Sequence, residues 1–189
     1  SGDPPAAPRA TPASTRAPEL AEAASATPKG TLVICEDDPW LLALAVPASA
    51  HAGPGTPWVL VAEVDSSLDA EVAQLDPKVC LTLGRSQDPE VVLPPSAQAQ
   101  RHLLGSDPAT GSYRLAAAVW KQSPKVVVAR VKEVAAVLQA SALAASEGSP
   151  LLLFTPGRAP ELRQACATLG ATAATFVGTT PPPAGLLGP

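Results

Sequence analysis

The chain has 189 residues, of which 46% are hydrophobic and 3% aromatic, and its formal net charge is −4. A chain of this length forms one domain or two small ones. Its 13 lysines and arginines are scattered and form no basic stripe, which argues against nucleic acid as the main partner. It contains no run of about 18 apolar residues, so we predict no membrane-spanning segment.

The three cysteines, Cys35, Cys80 and Cys166, lack the paired spacing of a disulfide framework or a zinc site. Cys35 and Cys80 lie in predicted strands of the same half of the chain, so a disulfide between them is one interpretation. The other interpretation is that all three are small buried side chains.

The chain begins with residues 1–16, which are rich in Pro, Ala, Thr and Ser and show no apolar periodicity. This composition predicts a disordered linker. Residues 18–26 predict a short helix, because Pro18 suits a first helical turn and Leu20, Ala23 and Ala24 recur at helical spacing.

The first half of the chain then alternates strands with helices. Unbroken apolar runs suited to a parallel sheet covered on both faces predict three strands, Thr31–Cys35, Trp58–Ala62 and Lys78–Leu83. Helices are predicted between them at Trp40–Ala52 and Leu68–Leu75. Pro47 lies inside the first helix, where we expect a kink or a break.

Residues 85–112 are rich in proline and are predicted to connect the two halves, with one brief strand at Gln98–Leu104. The second half repeats the order of the first. Its helices are predicted at Tyr113–Gln122, Lys132–Ser146 and Pro160–Leu169, and its strands at Val126–Ala129, Leu151–Phe154 and Ala173–Val177. Residues 179–189 are predicted to be a proline-rich tail.

Strands that alternate with helices in this way predict right-handed crossovers and parallel pairing. We therefore predict an α/β fold made of two tandem Rossmann-like αβαβαβ repeats, with parallel sheets covered by helices on both faces. The first repeat spans residues 17–84 and the second spans residues 113–178.

Acidic residues follow the first two strands of the first repeat. Glu36, Asp37 and Asp38 come after one strand, and Asp65 comes after the next. Ligands of open α/β sheets lie beyond the carboxyl ends of the strands, and carboxylate oxygens are the ligands that Mg²⁺ and Ca²⁺ prefer. These residues therefore predict a metal site, unless they only cap helices and form a solvated acidic edge.

The matching edge of the second repeat carries the opposite charge. Arg130 and Lys132 follow its first strand, and Arg158 follows its second. Together they predict a site for an anion such as a teichoic-type polymer or a carboxylated glycan. The alternative is ordinary surface charge.

Several motifs of the second half match a known repeat. They are Leu143-Ala144-Ala145, Pro150-Leu151-Leu152-Leu153, Pro160-Glu161-Leu162, Leu169-Gly170-Ala171 and Phe176-Val177-Gly178, preceded by Leu103-Leu104-Gly105-Ser106-Asp107 with Tyr113 and Ala116. Residues 98–178 thereby resemble the type 2 cell wall-binding repeat of bacterial surface proteins, and residues 17–84 resemble it less closely. The family's Arg-Tyr motif is interrupted here by residues 108–112, and its Pro-Asp pair falls on Ala135-Ala136.

The resemblance implies non-covalent attachment to anionic polymers of the bacterial cell wall. We therefore expect a non-catalytic cell-envelope module that binds such a polymer or serves as a structural or protein-interaction domain of a surface assembly, self-assembly included. The expected location is extracytoplasmic, in the envelope, wall or cell surface, with a signal peptide already removed.

The alternative function is a small α/β enzyme or a metal-dependent module that uses the acidic edge. We predict no organic cofactor, because the chain has neither the Gly-x-Gly-x-x-Gly spacing nor the Gly-Lys-Ser/Thr end of a phosphate loop. The Gly-x-Ser-x-Gly elbow of α/β hydrolases is also missing from the sequence.

Overall fold

The structure is a computed structural model, and the residues it describes are 30–52, 58–62, 68–86, 91–179, 181 and 183–187. The strands among them are β1 Thr31–Glu36, β2 Trp58–Ala62, β3 Val79–Gly84, β4 Gln98–Leu103, β5 Lys125–Arg130, β6 Leu151–Phe154 and β7 Ala173–Val177. The helices are α1 Pro39–His51, α2 Leu68–Leu75, α3 Pro108–Val119, α4 Val134–Glu147 and α5 Ala159–Leu169. The predicted linker at 1–16 and the predicted helix at 18–26 lie outside the described residues.

Each half of the chain builds one parallel sheet. The first sheet has the order β2-β1-β3-β4 and the second has the order β6-β5-β7. In both, the first strand in sequence lies between the second and the third. The chain also enters both sheets alike, since Lys78 N–H donates to the Gly30 carbonyl at 3.2 Å and Thr172 N–H donates to the Pro124 carbonyl at 2.9 Å. The α/β fold with tandem parallel units is thereby confirmed.

Both faces of the first sheet are covered, as its unbroken apolar strands predict. Leu32 and Ile34 of β1 pack with Val72 of α2 in a small cluster that also holds Cys80, whereas Cys35 belongs to the larger core on the other face. Neighbouring residues of a strand point to opposite faces. The two cysteines therefore lie on opposite sides of the sheet, and the disulfide considered between them is wrong; all three cysteines of the chain are free and buried.

Strand β4 lies in the segment that the sequence assigned to the connector. It pairs in parallel with β3 along its whole length, from Val79 opposite Gln98 to Gly84 opposite Leu103. The brief strand anticipated at this position is therefore the outer strand of the first sheet. None of the helices in the described ranges has the length and apolar character needed to cross a membrane.

Helix α3 begins five residues earlier than the predicted start at Tyr113. The Asp107 carboxylate accepts a hydrogen bond from Thr110 N–H at 3.2 Å, and Pro108 occupies the first turn. Residues 108–112, which interrupt the family motif, thus form the first turn of a capped helix. The sequence hid this start because Gly111 disfavours helix.

Helix α3 lies between the two halves of the chain. On one side Gly111 approaches the first half, and a Cβ added to it would lie 3.1 Å from Leu104 and 3.4 Å from the ring of Trp40. On the other side the Ser112 hydroxyl accepts a hydrogen bond from Leu153 N–H of β6 at 2.9 Å. Because β6 is an outer strand, α3 covers an edge that would otherwise be open.

Helices α1 and α4 pack against each other and join the two halves. Helix α1 runs through Pro47 to His51. A proline has no N–H, so the carbonyl four residues earlier, that of Ala43, loses its helical partner. The hydroxyl of Ser141 in α4 donates to this carbonyl at 2.6 Å. The interface thus supplies the hydrogen bond that the proline removes, and Pro47 does not break the helix.

Candidate functional site

Ligands of open parallel sheets bind beyond the carboxyl ends of the strands, in the crevice where successive connections leave in opposite directions. In this chain that crevice lies between β1 and β3 in the first sheet and between β5 and β7 in the second. The residues predicted to bind metal or anion follow strands at these two edges. Both edges are therefore the candidate site.

At the first edge, Glu36 and Asp38, two of the three carboxylates at the end of β1, are bonded to the protein itself. One oxygen of Asp38 accepts from Trp40 N–H at 3.1 Å and caps α1, and the other lies 2.8 Å from Nη2 of Arg85. Glu36 Oε1 accepts from the Arg85 N–H at 3.3 Å. The Arg85 guanidinium also lies 5.1 Å above the Trp40 ring. Because Arg85 directly follows β3, these contacts cross the crevice between β1 and β3.

The predicted metal ligands are therefore only partly assembled. Asp37 is exposed to solvent, and Asp65 lies outside the described residues. Within the described ranges, no three acidic, histidine or cysteine side chains are grouped closely enough to hold a metal ion. A cation held by Glu36 and Asp38 would have to displace Arg85 from both of them.

Glu133 closes the second edge in the same way. Its Oε2 accepts from the N–H of Thr179 at 2.8 Å and from the hydroxyl of Thr179 at 3.3 Å. A Cβ on Gly178 would lie 2.5 Å from that oxygen, and the φ of Gly178 is +134°, so this position requires glycine. Thr179 follows β7 as Arg85 follows β3. In each repeat, a backbone N–H just beyond the third strand thus donates a hydrogen bond across the crevice to a carboxylate near the start of a helix.

The three predicted anion-binding cations lie at this second edge. Arg130 ends β5, and its Nη1 lies 3.9 Å from Oε1 of Glu133. Arg158 follows β6, and its Nη1 lies 2.6 Å from Oδ2 of Asp107 at the start of α3. Lys132 is exposed in the turn between β5 and α4. The structure therefore places all three on one edge, with the two arginines already in ion pairs.

Three titratable groups near these edges have pKa values that are shifted by their surroundings. Hydrogen bonds from Thr110 and the charge of Arg158 lower the pKa of Asp107, which keeps it ionised. Burial raises the pKa of Tyr113, and its hydroxyl has no hydrogen-bond partner in the described part of the chain. Burial also raises the pKa of Cys35 to about 11, so its thiol stays protonated and unreactive.

The sequence located the charged loops but missed the groups that close the crevices. Arg85 lies in the predicted connector and Glu133 lies in the predicted helix Lys132–Ser146, and the sequence predicts no contact for either residue. One signal could have found both contacts, because Gly84-Arg85 and Gly178-Thr179 end the third strand of each repeat in the same way. A polar residue after such a glycine lies opposite the loop that follows the first strand.

A cavity of about 360 Å³ lies elsewhere, between α5 and the residues near the C-terminus. Cys166 and Leu186 line it, and beside it Arg163 Nη1 donates to the Ala184 carbonyl at 3.3 Å. The cavity brings together no pair of acidic or basic side chains. It therefore adds no chemistry to the two edges.

Comparisons of the chain with protein-family models, with curated proteins and with solved structures gave no match. The geometry of the two edges is therefore the structural observation that bears on function.

Proposed function

We infer that the chain is a non-catalytic module of a bacterial cell envelope, which binds anionic wall polymer or serves as a structural or protein-interaction domain of a surface assembly. The observation that carries this inference is that the protein's own carboxylates cross both crevices. Glu36 bonds the backbone of Arg85 at one edge, and Glu133 bonds the backbone of Thr179 at the other. An enzyme of this architecture binds its substrate in such a crevice.

Opening either crevice has an energetic cost. A ligand would have to break a hydrogen bond to a charged group, which is typically worth about 1.5–3 kcal/mol. At the first edge it would also have to separate Arg85 from Asp38. Exposed side chains beside the crevices, such as Lys132, and the outer faces of the helices need no opening of a crevice, which suits a binding or assembly module.

The cationic rim of the second sheet supports an anionic polymer as ligand. Lys132 is exposed, and the ion pair of Arg158 with Asp107 is solvent-accessible, with side chains 49% and 39% exposed. Exposed ion pairs are weak, so a chain of phosphate or carboxylate groups can compete for the arginine. The resemblance to cell wall-binding repeats favours a wall polymer as the source of these groups.

Retention on purified cell walls tests polymer binding, using walls with and without their anionic polymer. We expect native protein to sediment with complete walls, and to be released by salt because the contacts are electrostatic. Lys132→Ala and Arg158→Ala should weaken retention. Lys125→Ala is the matched control, since Lys125 is an exposed lysine at the opposite end of β5 and should not matter.

Equal retention on walls stripped of anionic polymer would contradict the polymer as ligand. So would a loss with Lys125→Ala as large as that with Lys132→Ala. If neither wall preparation retained the protein, wall binding would be rejected and the structural or protein-interaction role would remain.

One observation favours the alternative, a metal-dependent module: Asp37 is exposed next to Glu36 and Asp38. Calorimetric titration with Mg²⁺ and Ca²⁺ tests it. Metal binding that is abolished by Asp37→Asn would support the alternative. On the non-catalytic account no heat is released. Asp38→Ala then loses the cap of α1, at a cost of about 1 kcal/mol, together with the ion pair to Arg85.

A further inference from the structure

The contact between α1 and α4 joins two different helix faces. Helix α1 contributes Ala43 and Pro47, here called the proline face, and α4 contributes Val137 and Ser141, called the serine face. Residues four apart lie on one side of a helix. The Ser141 hydroxyl meets the Ala43 carbonyl at 2.6 Å, and all four residues are buried.

These two helices are equivalent in the repeat, since each follows the first strand of its half. Their N-cap residues, Asp38 and Glu133, are 95 positions apart. At this spacing, each face of one helix has a counterpart on the other. The proline face of α1 corresponds to Leu138 and Ala142 on α4, and we call these two residues the open face of α4. The serine face of α4 corresponds to Leu42 and Val46 on α1, and we call these two residues the open face of α1.

Both open faces are accessible to solvent, although their counterparts are buried. Leu138 is 51% exposed and Leu42 is 36% exposed. Ala142 is exposed and Val46 is half-buried. Among the residues that the structure describes, each helix therefore buries only one of these two faces against the other helix.

The open faces are complementary to each other in the way that the buried faces are. In the buried contact, Pro47 frees a carbonyl and Ser141 satisfies it. In the open faces, Ala142 stands in the place of Pro47, and Val46 stands in the place of Ser141. Ala142 has a backbone N–H, which donates to the Leu138 carbonyl four residues earlier in the same helix. This carbonyl therefore needs no hydroxyl from a second helix. Both members of the polar pair are replaced together, which leaves an apolar match.

The open faces also lie on uncharged surfaces. Helix α1 has no charged residue from Pro39 to Ala50, and α4 has none from Val134 to Ser146. The whole chain has a net charge of −4, so two copies repel each other on average. An uncharged helix face is where identical chains can meet without bringing like charges together.

We propose that the open face of α4 in one copy of this chain packs on the open face of α1 in a second copy. The contact joins unlike faces, so it is heterologous and head-to-tail. Two helix faces of this length cover less than the roughly 800 Å² per partner of a standard interface, so the association is weak and depends on concentration. The proposal rests on the assembly role within the proposed function and does not involve wall polymer.

Sedimentation velocity of the full chain, without wall polymer and over a wide range of protein concentration, tests the contact. We expect the average sedimentation coefficient to rise with concentration. Leu42→Glu and Leu138→Glu should each weaken association by about tenfold or more, since each variant places an ionised carboxylate in an apolar contact. Val92→Glu is the matched control, because Val92 is 72% exposed and lies beside α2, its N–H bonded to Asp69.

Mixing the two variants tests the head-to-tail arrangement. Leu42→Glu keeps the open face of α4, and Leu138→Glu keeps the open face of α1. Each variant alone should associate more weakly than the native chain by the factor given above, whereas the mixture should form a heterodimer through the one contact that keeps both of its faces intact.

A native chain that stays monomeric at every concentration would overturn the proposal, and so would single variants that associate like the native chain. A mixture that does not associate, although the native chain does, would show that like faces pair and would equally overturn it. Urea titration verifies that each variant is folded, and Leu→Ser at the same positions repeats the test if one is not. None of these outcomes changes retention on cell walls, which the polymer-binding proposal predicts separately.

Discussion

Replacing Ser141 by alanine should destabilise the protein in a way that depends on a proline in another helix. The Ser141 hydroxyl donates to the Ala43 carbonyl and so replaces the helical N–H partner that Pro47 cannot supply. Ser141→Ala leaves this buried carbonyl unpaired, which costs about 1–3 kcal/mol. We expect about 2 kcal/mol, because both residues are almost completely buried.

Pro47→Ala supplies the second arm of a double-mutant cycle. The new N–H at position 47 can bond the Ala43 carbonyl inside α1, so the hydroxyl becomes dispensable. In that background Ser141→Ala should cost no more than about 1 kcal/mol, the net value of one ordinary hydrogen bond. The coupling free energy between the two positions should therefore be about 1 kcal/mol or more, as is typical of residues that share one network.

Urea unfolding followed by tryptophan fluorescence measures all four proteins, with the slope m checked for constancy. Ser146→Ala is the matched control, because its exposed hydroxyl bonds only the Leu143 carbonyl of its own helix, at 2.8 Å. It should change stability little in either background. If Ser141→Ala cost the same with and without Pro47, the proposed exchange of partners at the Ala43 carbonyl would be refuted.

Three further predictions concern single titratable side chains. Tyr113→Phe should leave the free energy of unfolding in urea titration unchanged or raise it by up to about 1 kcal/mol, because the Tyr113 hydroxyl is buried without a partner in the described structure. A decrease of more than about 1 kcal/mol would mean that the hydroxyl is hydrogen-bonded and would refute this prediction. The pKa of Asp107 is lower in the folded protein than its usual value of 3.8, so the ionised carboxylate stabilises the fold at a pH above 3.8. This contribution is lost as the pH falls through the folded pKa. Asp107→Asn still caps α3 but does not titrate, so it should flatten the acid side of the curve of stability against pH. Partial desolvation of the His51 ring, which stacks on Trp120 at 4.8 Å but remains exposed on its other side, lowers the pKa of His51. The unfolded chain therefore binds the proton more readily, and stability should fall slightly as the pH drops below 6.5. His51→Gln should remove this slope, and an unchanged slope would refute the assignment to His51.

The sequence was sufficient for the parallel sheets, because their strands are unbroken apolar runs between helices. Leu32–Cys35 and Leu151–Phe154 are buried throughout, as strands covered on both faces must be. Strand β4 was harder to predict, because Gln98–Leu103 is largely polar and its position depends on pairing with β3. The equivalence of the two halves followed from the order of elements and is seen again in the shared strand order.

The closing contacts at the two edges could not be predicted from local pattern. Arg85 and Glu36 are 49 positions apart, and Glu133 and Thr179 are 46 positions apart. Each contact depends on which loops meet beyond the sheet, and hence on strand order and register. Ser141 was equally hidden, because its partner is a carbonyl 98 positions away that becomes available only through Pro47.

The protein's own carboxylates, Glu36 and Glu133, cross the two crevices. Amide hydrogen exchange of Arg85 and Thr179, read by NMR on the full chain, tests these contacts most directly. Both amides should exchange slowly, and Glu133→Ala should release Thr179 while Arg85 stays protected. Two fast-exchanging amides in the native chain, or a Thr179 amide that Glu133→Ala leaves unaffected, would mean that the crevices are open and would contradict the non-catalytic assignment.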